Sequence, residues 1–74
     1  MIPMNVERKQ RLEEETVDLQ AKLERLESYI KECRAGQHNT DIDTIHLNEE
    51  QAHYMRGYLK ILKIKCYQQG IKIW

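Results

Sequence analysis

Residues 12–33 read LEEETVDLQAKLERLESYIKEC, and the spacing inside that stretch decides the fold. Leu12, Thr16, Leu19, Leu23, Leu26, Ile30 and Cys33 follow one another in steps of four and three residues. This is a heptad seam, with Thr16, Leu23 and Ile30 at a, and Leu12, Leu19, Leu26 and Cys33 at d. A repeat of 3.5 residues holds one narrow stripe toward a partner helix and implies a left-handed supercoil. The intervening positions are charged. Asp18–Lys22 and Glu27–Lys31 are acid-before-base pairs one turn apart, each contributing roughly 0.2–0.5 kcal/mol on an exposed helix. Asn5 suits an N-cap, and Ala35-Gly36 a C-terminal stop. The pattern predicts a helix over residues 6–34.

Beyond it, residues 36–46 have turn-forming composition and no helical period, so they are expected to be a loop anchored inward by Ile42 and Ile45. A second start signal lies at Asn48-Glu49-Glu50-Gln51. Asn48 would cap, Gln51 would reach back, and Leu47 with Ala52 would form the staple. The seam resumes as Ala52, Met55, Leu59, Leu62 and Cys66, and Gly70 suits the C-terminal cap. The second helix is expected at about 48–69, with residues 70–74 as a tail whose Ile71-Lys72-Ile73-Trp74 alternation could dock at an interface. Outside its seam this helix also carries Tyr54, Tyr58, Ile61, Ile64 and Tyr67. So broad an apolar surface needs more than one neighbour.

The expected fold class is therefore all-α: a single-domain antiparallel helical hairpin that oligomerises, as a dimer or larger, into a helical bundle. A chain of 74 residues supports this. Such a length buries only about 60% of its unfolded surface, and small scaffolds commonly gain stability by self-association. Pairing about the loop near residue 41 sets Cys66 against residue 16 and Cys33 against residue 49. That leaves the cysteines about 17 residues, or roughly 25 Å, apart along the hairpin, too far for an intramolecular disulfide. The first helix is the longer arm, and its polar residues 6–13 are expected to overhang.

Lys+Arg and Asp+Glu each number 12, which excludes a protein that coats nucleic acid by bulk charge. The balance is uneven along the chain. Residues 6–34 hold seven bases and eight acids, residues 36–46 only Asp41 and Asp43, and residues 47–74 five bases and two acids. In the second helix Arg56, Lys60 and Lys63 fall at i, i+4 and i+7 on one face; Tyr67 extends the stripe, with Tyr54 and Tyr58 nearby. Bases supply phosphate contacts and aromatic rings supply stacking, so these six residues are the candidate ligand site for a nucleotide or a phosphorylated compound. The plainer reading is a solvated face whose lysine stems cover apolar surface.

Other chemistry has less to stand on. His38, His46 and His53 with Asp41 and Asp43 lack metal-ligand spacing. Cys66 falls at a seam position, where a thiol is structural. The sequence has no phosphate loop, and Glu13-Glu14-Glu15 lie on an exposed helix with no pocket, so an enzyme, a metal site and a cofactor are not expected. No apolar run approaches the roughly 18 residues of a membrane span, and Met1 to Asn5 do not read as a secretory leader, so a cytoplasmic protein is expected.

The charged opening (Glu7-Arg8-Lys9, Glu13-Glu14-Glu15), then Leu23-Glu24-Arg25-Leu26-Glu27-Ser28-Tyr29-Ile30, Leu47-Asn48-Glu49-Glu50-Gln51 and Met55-Arg56-Gly57-Tyr58-Leu59-Lys60-Ile61-Leu62 together resemble the small helical-hairpin coiled-coil proteins of tailed bacteriophages, including the crAss-phage-related family. The resemblance spans residues 7–67. It departs at Gly57, a helix-weakening residue costing about 1 kcal/mol relative to Ala, and in the Ile71–Trp74 tail. Gly57 also permits the close approach of another backbone or a ligand, with close helix–helix packing the plainer use. The resemblance implies a phage setting inside a bacterial host cell and an anti-defence role. In one form an oligomer sequesters a nucleotide immune signal, of cyclic nucleotide or ADP-ribose type, at subunit interfaces. In the other a coiled-coil inhibitor or adaptor binds a host protein.

Overall fold

The computed structural model describes residues 5–72. The leader reading at residues 1–4 and the Ile73 and Trp74 part of the tail lie outside the described residues. Helix α1, Val6–Arg34, has the bounds its heptads predict. Asn5 caps it, accepting a 2.8 Å hydrogen bond from the Arg8 amide. At its far end Gly36 takes the left-handed conformation, φ 79°. The amides of Gly36 and Gln37 then donate back to the carbonyls of Cys33 and Glu32, so the chain leaves the helix with its last carbonyls satisfied.

Helix α2, Ile42–Gln68, starts six residues before the expected Asn48. The cap is Asp41, whose Oδ1 accepts a 2.8 Å bond from the Thr44 amide. Starting here places Ile45 in the core, 6% exposed, while Ile42 stays outside at 51%. Burial of Ile45 thus favours the earlier of two competent caps, and Asn48 to Gln51 become ordinary helical positions. The connection shrinks from residues 36–46 to residues 35–41. At the other end Gly70 adopts φ 73°, and the amides of Gly70 and Ile71 donate to the carbonyls of Tyr67 and Cys66. This cap turns Ile71 inward against Leu12, Leu62 and Cys66. Gly70→Ala is expected to cost about 1 kcal/mol, because only glycine takes this conformation without strain. Thermal denaturation followed by circular dichroism should show a melting point lowered by several degrees.

The two helices pack along the predicted seams, and the described residues contain no strand. One core cluster joins Leu12, Leu62 and Cys66; a second joins Leu23, Ala52 and Leu59; Leu19 touches both. Thr16, a polar residue at an a position, is fully buried without penalty. Its hydroxyl donates to the Leu12 carbonyl at 2.7 Å and lies 3.3 Å from the Cys66 Sγ. That contact realises the expected opposition of residues 16 and 66. Both cysteines are buried and free. Leu12, inside the stretch 6–13 expected to overhang, is instead buried against Leu62, Cys66 and Ile71.

Surface charges fix the register. Arg34 bonds Glu49 at 2.6 Å and Arg56 bonds Glu27 at 2.9 Å. The pairs stand one heptad apart on both helices, with their signs exchanged. Sliding α2 by one heptad would set Arg34 against Arg56, or Glu27 against Glu49, so the arrangement disfavours slipped pairings more than it adds stability. Of the i,i+4 pairs within α1, Glu7–Arg11 forms at 2.8 Å; Glu27, expected to meet Lys31, reaches across to Arg56 instead.

Two carboxyls contribute to the pH dependence on its acid side. Asp41 is held below the usual carboxylate range by its hydrogen bonds from Thr44, first the side chain and then the amide. Glu49 is held low chiefly by its hydrogen bond from Arg34. A depressed carboxyl contributes stability above its unfolded pKa and loses it as pH falls through the folded value. The melting temperature is therefore expected to drop on acidification through and below the ordinary carboxylate range. Asp41→Asn, which keeps a capping oxygen but cannot titrate, should flatten that acid limb.

Candidate functional site

The hairpin measures 48 × 17 × 16 Å, only two helices thick, so any site on one chain is a surface cleft. An apolar cleft lies on α2. It is open, about 560 Å³ in volume, and lined by Arg56, Leu59, Lys60, Lys63, Ile64 and Tyr67. Helical spacing builds it from the sequence upward. Arg56, Lys60, Lys63 and Tyr67 recur at i, i+4, i+7 and i+11 and form one row of cationic and aromatic tips. Leu59, 7% exposed and packed in the core, and Ile64, half-exposed, supply the floor. The alkyl stems of the lysines lie over that floor while their ammonium groups reach water.

Four of the six candidate residues thus meet in one cleft, and two do not. Tyr54 and Tyr58 border a separate depression with His53, Arg56, Gly57, Lys60 and Ile61. Tyr58 is turned toward α1, where its hydroxyl donates to Glu15 at 2.5 Å. This bond to a carboxylate pushes the Tyr58 hydroxyl above its usual pKa, because ionisation would set two anions together. Tyr54 packs edge-on against His53, with ring centroids 5.5 Å apart. The physical reason for the split is angular: Tyr54 and Tyr58 sit between a third and a half of a turn around α2 from Lys60 and Lys63, which proximity in sequence conceals, and Lys60 borders both depressions. Sequence reasoning also missed Leu59 and Ile64. They were visible as apolar residues three and eight positions after Arg56, but the first was absorbed into the seam and the second into the general apolar surface.

The three cations are not equivalent. Arg56 already donates to Glu27, so a ligand anion must share it. Lys60 and Lys63 have no ion-pair partner among the described residues, and they are the groups with charge to spare. The cleft is therefore suited to an anion attached to a flat or apolar body. It presents no nucleophile next to a base, and among the described residues no three His, Cys, Asp or Glu side chains gather into a metal-holding group. No helix of the described residues is long and apolar enough to cross a membrane.

Gly57 corrects a further expectation. It is exposed, and a methyl group added there would touch nothing within 4 Å. Close packing of α1 on α2 therefore does not account for it; that role falls to Ala52, 1% exposed, in the core cluster with Leu23.

Compared with known proteins, residues 7–64 match a family model described as Sequestin. Neither a curated protein nor a solved structure matches the chain.

Proposed function

The chain belongs to the Sequestin family, and from that premise we propose that it is a phage-type anti-defence sponge. In this reading a homo-oligomer sequesters a nucleotide immune signal, of cyclic nucleotide or ADP-ribose type, at its subunit interfaces. It acts inside a bacterial host infected by a tailed, crAss-phage-related virus. The family name speaks of sequestering. The observation that carries the finer reading is the cleft on α2, where unpaired lysines, an aromatic ring and an apolar floor share one face. Lys60 and Lys63 hold the phosphates, Arg56 shares its guanidinium between Glu27 and the ligand, and Tyr67 stacks on the base. Tyr54 and Tyr58, which border the neighbouring depression, are not part of this ligand set. A sponge needs tight holding and no turnover, which agrees with a site of donors and surfaces lacking a general base, so the protein is no enzyme in this reading.

The test is a panel of cyclic dinucleotides, cyclic mononucleotides and ADP-ribose derivatives, read by thermal shift and calorimetry. A true ligand at a hundredfold its Kd stabilises the folded protein by about 2.7 kcal/mol, a shift of many degrees for a domain this small. No shift and no heat across the panel would end the sponge reading. A second reading, a coiled-coil inhibitor or adaptor of a host protein, is favoured by the start of α1, where Val6 is 76% exposed. Retrieval of a host protein that survives Arg56→Ala, Lys60→Ala and Lys63→Ala together would select it.

A further inference from the structure

Half a turn from its buried seam, α2 carries a second heptad row: Leu47, Glu50, Tyr54, Gly57, Ile61 and Ile64, in steps of three and four. Within the hairpin this row is unused. Leu47 is 71% exposed, Tyr54 68%, Ile61 51% and Ile64 49%. Gly57 stands at its centre, weakening the helix where an added methyl group would meet nothing within 4 Å among the described residues. A glycine central to an exposed apolar heptad row is the device that lets two helix backbones approach closely. We propose that this face is a homodimer interface, in which α2 of one copy crosses α2 of a second copy in antiparallel sense at Gly57.

Three observations select the occupant and its direction. The outer surface of α1 offers no comparable apolar row; its large exposed apolar side chains are Val6, Val17 and Tyr29, scattered among charges. Among the described residues the face of α2 therefore finds its match only in itself, which is the condition for a two-fold, self-complementary contact. Charge fixes the sense. Glu50 lies seven residues before Gly57 and Lys65 eight residues after it. An antiparallel crossing brings Glu50 of each copy toward Lys65 of the partner subunit, whereas a parallel one stacks like charges. Leu47, Tyr54, Ile61 and Ile64 of this row together expose on the order of 450 Å² per copy, a little over half of the ~800 Å² per partner of a standard interface, so the contact is a small one.

Ile64 borders both this face and the basic cleft. The second copy's helix consequently runs along the Ile64 edge and gives the cleft the wall that a hairpin 17 Å thick lacks. That last point rests on the sponge reading; the dimer itself does not, and its test uses no nucleotide.

The experiment is the mass of the full chain across a dilution series by sedimentation or light scattering, with helix content followed by circular dichroism. Wild-type protein is expected at twice 8.9 kDa. Gly57→Leu and Ile61→Glu change positions open to water in the single hairpin, so helix content should hold. Each should raise the dimer dissociation constant roughly 30-fold or more, the size of a hot-spot loss. Glu50→Lys and Lys65→Glu should each weaken the dimer, and the double reversal should restore it. A single-chain mass at every concentration overturns the interface, as does a dimer indifferent to both Gly57→Leu and Ile61→Glu. A double reversal that stays weak overturns the antiparallel sense.

Discussion

Leu62→Ala is expected to remove most of the stability of this hairpin. Leu62 is 2% exposed and packs in one cluster with Leu12 and Cys66, against which Ile71 also closes. Truncating a buried leucine costs about 2–5 kcal/mol, as lost transfer energy plus the cavity left behind. A domain of 74 residues has only about 4–11 kcal/mol in total. A two-helix core also has few neighbours able to relax into the void, which places the loss toward the upper end of that range. Urea or thermal denaturation should show the midpoint falling far below wild type. Val17→Ala, at a position 52% exposed on α1, is the control and should change stability by less than about 0.5 kcal/mol. Protein concentration must be matched between samples, since self-association adds to apparent stability. Equal midpoints for Leu62→Ala and wild type would mean that the packing described for the α1–α2 seam is wrong.

Lys60→Glu combined with Lys63→Glu is expected to abolish capture of an anionic nucleotide. Charge-assisted hydrogen bonds contribute about 1.5–3 kcal/mol each, and reversing the sign adds repulsion to their loss. The pair should therefore lower affinity by more than ~100-fold. The fold should survive, because neither lysine takes part in the inter-helix ion pairs formed by Arg34 with Glu49 and Arg56 with Glu27. Lys72→Glu, outside the cleft, is the matched control for net charge and should change affinity little beyond a salt-sensitive long-range effect. Arg56→Ala should cost less affinity than the lysine pair, since that guanidinium is already shared, and it should also loosen the helix register. Binding that is unchanged in the double lysine variant, measured by calorimetry on a ligand the wild type holds, would move the site off this cleft.

Much of the fold was legible in the residues themselves. The steps of four and three in α1 named its buried stripe, and Asn5 and Gly36 marked its ends, because capping and periodicity are local properties that a stretch of chain carries with it. The opposition of residues 16 and 66 also followed from the seam and the loop position, and the 3.3 Å contact between Thr16 and Cys66 agrees with it. The start of α2 was not legible. Asp41 and Asn48 are both competent caps, and choosing between them requires knowing that Ile45 has a core to enter. The candidate site was legible in part for a related reason. The row of Arg56, Lys60, Lys63 and Tyr67 is a matter of helical spacing. The separation of Tyr54 and Tyr58 from that row follows from the same spacing, whereas the Tyr58–Glu15 bond exists only across the two helices.

By itself, then, the sequence determined two heptad-patterned helices, their antiparallel register and a basic row on the second, since each follows from side-chain spacing along a rigid 3.6-residue helix. Only the tertiary structure decided where α2 begins, that Tyr58 reaches across to Glu15, and that Glu27 pairs with Arg56 rather than with Lys31. Those are questions of which surface is already occupied, and occupancy is settled by the partner helix rather than by the helix's own sequence.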